Sequence, residues 1–196
     1  MSDRKLLAGM TAAGLAYAIV RYNVFKGVPW EQLPVYVANK AIALVGLMLL
    51  GLSRIVVEKQ RRKNLGLAGA LLVVVHVLMS LILLGPDYYA SFYSTLGQMT
   101  LSAELSMLAG ALGTAGLLWL FYVTTIRPIA GQPNRTSLVP GLGRLVLAFT
   151  AVHVILIGVR GWFDVSSWPG SLPPITLLSF AIAAVLCVMP KARKKA

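Results

Sequence analysis

The chain has 196 residues, of which 58% are hydrophobic and 12% are charged, and its formal net charge is +12. A soluble domain has about half apolar and a quarter charged residues, so this composition indicates an integral membrane protein rather than a soluble one. Nucleic-acid binding is not indicated by the positive charge, because most basic residues lie in short segments between apolar runs. The single cysteine, Cys187, excludes an internal disulfide and a cysteine-ligated iron–sulfur or zinc site.

Six apolar runs are each long enough to cross a bilayer, which takes about 20 residues. They predict helices near residues 6–25, 35–57, 65–84, 104–123, 142–159 and 175–189. The connections between them are too short to hold a separate folded unit. We therefore predict an all-α membrane protein in which residues 1–196 form a single transmembrane domain, a bundle of six transmembrane helices.

The lysines and arginines in the short connections predict the orientation of this bundle. Basic residues are concentrated on the side that holds both termini, whereas the other side carries a mixture of basic and acidic residues. Because cytoplasmic loops carry the excess of positive charge, both termini are predicted to be cytoplasmic, in a plasma (inner) membrane. The basic residues of this side are Arg4, Lys5, Arg54, Lys59, Arg61, Arg62, Lys63, Arg127, Arg135, Arg144, Lys191, Arg193, Lys194 and Lys195.

Aromatic residues are concentrated at the opposite, non-cytoplasmic boundary. Two interpretations apply to them: an interfacial belt of Tyr and Trp, or a lid over a cofactor or substrate near that surface. The residues are Tyr22, Phe25, Trp30, Tyr36, Tyr88, Tyr89, Phe92, Tyr93, Trp162, Phe163 and Trp168.

The only two histidines lie in the middle of the third and fifth runs. A titratable side chain in hydrocarbon is costly, which makes both functional candidates. His76 is twelve residues past Asn64 and His153 is ten past Gly143, on two helices that run in the same direction. At about 1.5 Å per residue, both rings are predicted at nearly the same depth. Two such imidazoles can occupy both axial positions of one haem iron, which would then relay electrons.

Two further residues are predicted to contact this haem. Gly69 lies seven residues before His76 on the same helix face and would leave room for a flat macrocycle. Arg160 lies two turns after His153 and could meet a propionate, with a snorkelling interfacial arginine as the alternative. A zinc or copper site is disfavoured, because two histidines without nearby Cys, Asp or Glu fall short of the usual ligand number.

Three stretches carry a resemblance to a known family: RRKNLGLAGALLVVVHVLMSLILL, LGRLVLAFTAVHVILIGVRGWFD and VANKAIALVGLMLLGL. They resemble the third, fifth and second helices of the transmembrane domain of STEAP metalloreductases, within the ferric-reductase-like group that also includes the bacterial YedZ/MsrQ haem proteins. This likeness rests on two motifs. The third helix has a basic residue, LGL and a histidine in order, and the second helix has the Asn39–Lys40 pair. The resemblance implies one haem b held by His76 and His153. It also implies electron flow from a cytoplasmic flavin to an outer acceptor such as chelated ferric or cupric ion.

The chain departs from this family in ways that bear on the electron donor. The stretch NRTSLVPGLG lacks the Trp and Gln that STEAP proteins have near their flavin, so FAD is left open as a cofactor. No nicotinamide-oxidising domain is expected, and the donor could instead be a separate cytoplasmic flavin reductase or a quinol. A homo-oligomer, specifically a trimer, follows only from the resemblance.

Three functions are consistent with the sequence. The first is a haem b transmembrane electron carrier of the metalloreductase type, with its status as an enzyme left open. The second is a haem-binding membrane subunit that serves a separate soluble oxidoreductase. The third is a haem-free carrier or scaffold in which the histidines bond across helices or relay protons.

Overall fold

A computed structural model of the chain describes residues 3–126 and 138–189. The described residues are 85% helical and form no β-strand. Within those two ranges lie six long α-helices, which we number in chain order. They are α1 (Asp3–Ala18), α2 (Ala38–Ile55), α3 (Lys59–Ile82), α4 (Leu101–Phe121), α5 (Leu138–Gly158) and α6 (Ile175–Val188).

Five helical segments are long and apolar enough to cross a membrane, which confirms the prediction of a helical membrane protein. They are Trp30–Ile55, Lys59–Ile82, Leu101–Ile126, Gly141–Gly161 and Pro169–Val188. α1 is not among them. It continues as a π-helical segment, Ile19–Phe25, in which Arg21 and Asn23 interrupt the apolar stretch. A sixth span, and with it the cytoplasmic position of both termini, stays a prediction.

The third helix begins earlier than its hydropathy predicted, because the basic residues before the apolar run are also helical. Arg61 forms an ion pair with Asp3 at 3.1 Å, and Asn64 donates a 3.0 Å hydrogen bond to the same carboxylate. These contacts bring the start of α1 and the start of α3 to the same end of the bundle. Several of the predicted cytoplasmic basic residues lie outside the described ranges: Arg127, Arg135, Lys191, Arg193, Lys194 and Lys195.

α2 is the central helix of the structure. Half of the residues in its membrane-spanning window are buried, against 11–22% in the other four segments. It packs on α1, α3 and α6, while α5 packs on α4 and α6. In the described ranges α3 and α5, the two helices with histidines, have no extensive contact with each other.

α2 and α3 approach closely at a pair of glycines. A Cβ atom on Gly69 would lie 2.9 Å from the carbonyl oxygen of Gly46 and 2.9 Å from the amide nitrogen of Leu50. Small residues at such contacts allow two helix backbones to pack tightly within a membrane. Gly69 therefore faces α2, and Leu50 and Gly46 fill the space beside it. This contact gives Gly69 a role in helix packing, and its role in haem packing stays a prediction.

Replacing Gly69 by Ala is expected to destabilise the bundle, because the added methyl group would overlap backbone atoms of α2. Overpacking of this kind costs about 1–3 kcal/mol, which thermal unfolding of the detergent-solubilised protein would detect. Gly9→Ala is the matched control, since a Cβ atom there would meet nothing within 4 Å. Equal melting temperatures for the two variants would contradict the close α2–α3 contact.

Candidate functional site

His76 is held by a hydrogen bond from α3 to α2. Its Nδ1 atom lies 2.7 Å from Oδ1 of Asn39, a side chain that is only 1% exposed. The Asn39 amide nitrogen donates to Ser80 Oγ at 2.9 Å and to the Tyr89 hydroxyl at 3.4 Å. Since the amide nitrogen faces these two hydroxyls, the amide oxygen faces the imidazole and can only accept. The assigned network therefore puts the proton of neutral His76 on Nδ1.

His153 is held in a similar way by a hydrogen bond from α5 to α4. Its Nδ1–H donates to the carbonyl oxygen of Ser106 at 2.8 Å, and the Ser106 hydroxyl donates to the His153 carbonyl at 3.1 Å. Ser106 is fully buried. Gly110, one turn further along α4, leaves space for the ring, because a Cβ atom there would lie 3.0 Å from Nδ1.

The second ring nitrogen is free in both histidines. Among the described residues no hydrogen bond reaches Nε2 of His76 or His153, and neither atom is fully buried. Both rings keep part of their surface accessible. Histidines that bind metals usually donate one ring N–H to a protein oxygen, which fixes the ring and directs the other nitrogen to the metal. Both imidazoles have this arrangement.

The part of the chain that the structure describes contains no group of three or more His, Cys, Asp or Glu side chains that could hold a metal ion. The chemistry available here is thus that of two neutral imidazoles, on two helices that do not pack against each other.

A cationic and aromatic cluster lies next to the His76 network. The Lys40 ammonium is 4.3 Å from the Tyr36 ring centroid, 5.2 Å from that of Tyr22 and 5.7 Å from that of Tyr89. Tyr89 lies outside the membrane-spanning segments, and burial raises the pKa of its phenol. The phenol therefore stays protonated while its oxygen accepts from Asn39.

Arg160 lies apart from these contacts. It is exposed in a single 3₁₀ turn, Val159–Gly161, that follows α5. No hydrogen bond or ion pair joins it to another residue in the described ranges. These surroundings agree with an interfacial arginine, and the propionate contact stays a prediction.

Sequence reasoning missed the partners of the two histidines. The family resemblance alone indicated Asn39, and the sequence predicted no role for Ser106 or Gly110 beside a histidine. One signal was available for Asn39, since an amide within an apolar run is costly unless it is hydrogen-bonded. Serine and glycine are ordinary in membrane helices, so Ser106 and Gly110 give no comparable signal.

Comparison with protein-family models finds no match to this chain, and comparison with curated proteins finds none either. The resemblance to the STEAP transmembrane domain therefore rests on the quoted residues alone.

The two histidines are expected to be Nδ1–H tautomers, which ¹⁵N spectra of histidine-labelled protein can distinguish from Nε2–H. Replacing Asn39 by Leu removes the acceptor of His76 and should destabilise the protein by about 1–3 kcal/mol while changing only the His76 signals. His153, whose acceptor is on α4, is the internal control. Ser80→Ala removes a 2.9 Å bond at the other end of the same amide and should leave the His76 tautomer unchanged, because the Tyr89 hydroxyl still accepts from that amide. An Nε2–H tautomer at His76 in the unmodified protein would contradict the network.

Proposed function

We propose that the chain is a haem b protein that transfers electrons across the membrane, with His76 and His153 as the two axial ligands. One observation carries the proposal. Each imidazole is oriented through Nδ1 by a neighbouring helix, whereas no hydrogen bond from the described residues reaches its Nε2, which is not fully buried. An unpaired nitrogen in hydrocarbon is unfavourable. Two of them at matched predicted depth are explained together if both bind one iron.

The residues of the site fit a haem. The ligand nitrogens belong to helices that have no extensive contact with each other, and two ligands on opposite faces of one haem need no such contact. Asn39 and Ser106 would fix the ring orientations and increase the basicity of the ligand nitrogens. When bound, a haem with two histidine ligands supplies a one-electron centre without an open coordination position.

The proposed route runs from a cytoplasmic donor to an acceptor at the outer face, such as chelated ferric or cupric ion, as in STEAP metalloreductases. The donor would be FAD, a separate flavin reductase or a quinol. This route assumes six spans, cytoplasmic termini and a plasma-membrane location, with a trimer as the assembly that the resemblance implies. The Asp3–Arg61 ion pair supports the topology, because it joins the starts of α1 and α3 at one end of the bundle.

The second proposed function uses the same two histidines but requires a partner. In it, the chain is the haem-binding membrane subunit of a separate soluble oxidoreductase. Exposed lysines at the start of α3, Lys59 and Lys63, favour such docking. They give that end of the bundle a positive surface that an acidic protein could recognise. Co-purification of a soluble partner, without reduction of ferric chelates by the membrane protein alone, would favour this function.

The third function, a haem-free carrier or scaffold with interhelical histidines, is favoured by the observed bonds from His76 to Asn39 and from His153 to Ser106. Those bonds account for Nδ1 but not for the unpaired Nε2 of each ring. The haem proposal accounts for both nitrogens, and for this reason we prefer it.

The proposal is tested by a dithionite-reduced minus oxidised visible spectrum of protein expressed with ample haem. Sharp low-spin b-type bands are expected, and their intensity should fall about tenfold or more in His76→Ala and in His153→Ala. Leu78→Ala and Val152→Ala are the controls, because these side chains lie on exposed faces of the same helices (56% and 47% exposed). A featureless spectrum of the unmodified protein would favour the haem-free function. Full bands in a double histidine variant would overturn the ligand assignment.

A further inference from the structure

Three cationic groups surround one buried tyrosine. Arg21 Cζ, Lys26 Nζ and Lys40 Nζ lie 5.5, 5.9 and 5.2 Å from the centroid of the Tyr22 ring. Arg21 belongs to the π-helical end of α1 and Lys40 to α2, so two elements supply this cluster. Cation–π contacts stabilise the groups without neutralising them.

In residues 3–126 and 138–189 no ion pair neutralises these three charges, and the pair between Arg61 and Asp3 lies at the other end of α1. Lys26 is exposed, whereas Arg21 is buried, and a buried charge is normally paired. Repulsion among three like charges favours an anion between them.

Buried polar atoms beside the cluster are also without partners. Arg21 is 6% exposed, and although Nη1 donates to the Leu172 carbonyl at 2.5 Å, its Nε is fully buried with no hydrogen-bond partner. Asn23, 5% exposed, donates through Nδ2 to the Val28 carbonyl, but its Oδ1 has no partner. An unpaired guanidinium N–H is a donor that an anionic ligand would satisfy.

The cluster adjoins the histidine site. Lys40 follows Asn39, the residue that holds His76. Tyr89 connects the two, since its ring faces Lys40 and its hydroxyl accepts from Asn39. Asn39 and Tyr89 would therefore connect an anion bound at Lys40 to His76.

We propose that Arg21, Lys26 and Lys40 form a binding site for the carboxylates of an anionic ligand. If the ligand is the haem of the proposed function, on which this identification rests, the carboxylates are its propionates. The other source of the same chemistry is a free polycarboxylate. In either case the groups that bind carboxylate are these three rather than the exposed Arg160, and Lys40 is the one that follows Asn39, the partner of His76.

The first arm of the test compares two haems. Detergent-purified protein is reconstituted with haem b or with its dimethyl ester, in which both propionates are neutralised. The unmodified protein should prefer the free acid about tenfold or more, since a charge-assisted hydrogen bond is lost with each ester. Lys40→Gln and the surface variant Lys26→Gln should lose most of this preference, and Lys40→Arg should keep it. Lys59→Gln, an exposed lysine at the start of α3, is the matched control.

The second arm measures the melting temperature of haem-free protein in citrate and in chloride at equal ionic strength. It does not depend on haem binding, so it separates failure of the anion site from failure of the proposed function. Citrate should stabilise the unmodified protein and Lys59→Gln more than chloride does. If Lys40→Gln and Lys26→Gln lose this difference, the result supports the site with a free polycarboxylate as ligand. The anion site is overturned if Lys40→Gln and Lys26→Gln change neither the preference for free-acid haem nor the increase in melting temperature in citrate. Absence of haem binding counts against the proposed function, and the citrate result then decides the anion site.

Discussion

Two imidazoles inside an apolar bundle form hydrogen bonds that join its helices in pairs. Each joins a pair of helices: α3 to α2 through His76 and Asn39, and α5 to α4 through His153 and Ser106. With little water available in a membrane, each polar group needs a protein or ligand partner. Both rings have such a partner on one nitrogen only, and the unpaired nitrogens are the basis of the proposed haem.

The close contact between α2 and α3 makes the first of these bonds possible. Gly46 and Gly69 let the two backbones approach, and further along the same pair of helices Asn39 reaches His76.

The amide of Asn39 also bonds to Ser80 and Tyr89, which connects the ring to the tyrosines around Lys40. The most buried helix of the bundle thus links the histidine site to the cationic cluster.

Hydropathy was sufficient to predict the helical membrane class and the approximate positions of the long helices, because crossing a bilayer imposes a length and a composition. It did not predict the start of α3 at Lys59, since a helix can continue beyond the apolar run that identifies it. It also did not predict that Gly69 packs against Gly46 and Leu50 of α2. Residues that share a face with His76 can be listed from the sequence, but which helix covers that face is decided by tertiary packing.

The histidine partners show the same limit. Equal depth of His76 and His153 follows from counting residues along two helices, whereas the pairing of Ser106 with His153 depends on which helices are neighbours. Lys40 and Arg21 appeared in the sequence as isolated basic residues on the side of mixed charge. Only the fold brings them to the same tyrosine.

The central claim is that one haem is bound by the two free imidazole nitrogens of each chain. Its most direct test is the electron paramagnetic resonance spectrum of the oxidised protein, recorded together with the ratio of haem to protein. We predict one low-spin ferric haem per chain, with the signal of two imidazole ligands. A high-spin signal would contradict ligation by both histidines, and a protein that binds no haem when haem is abundant would contradict the claim entirely.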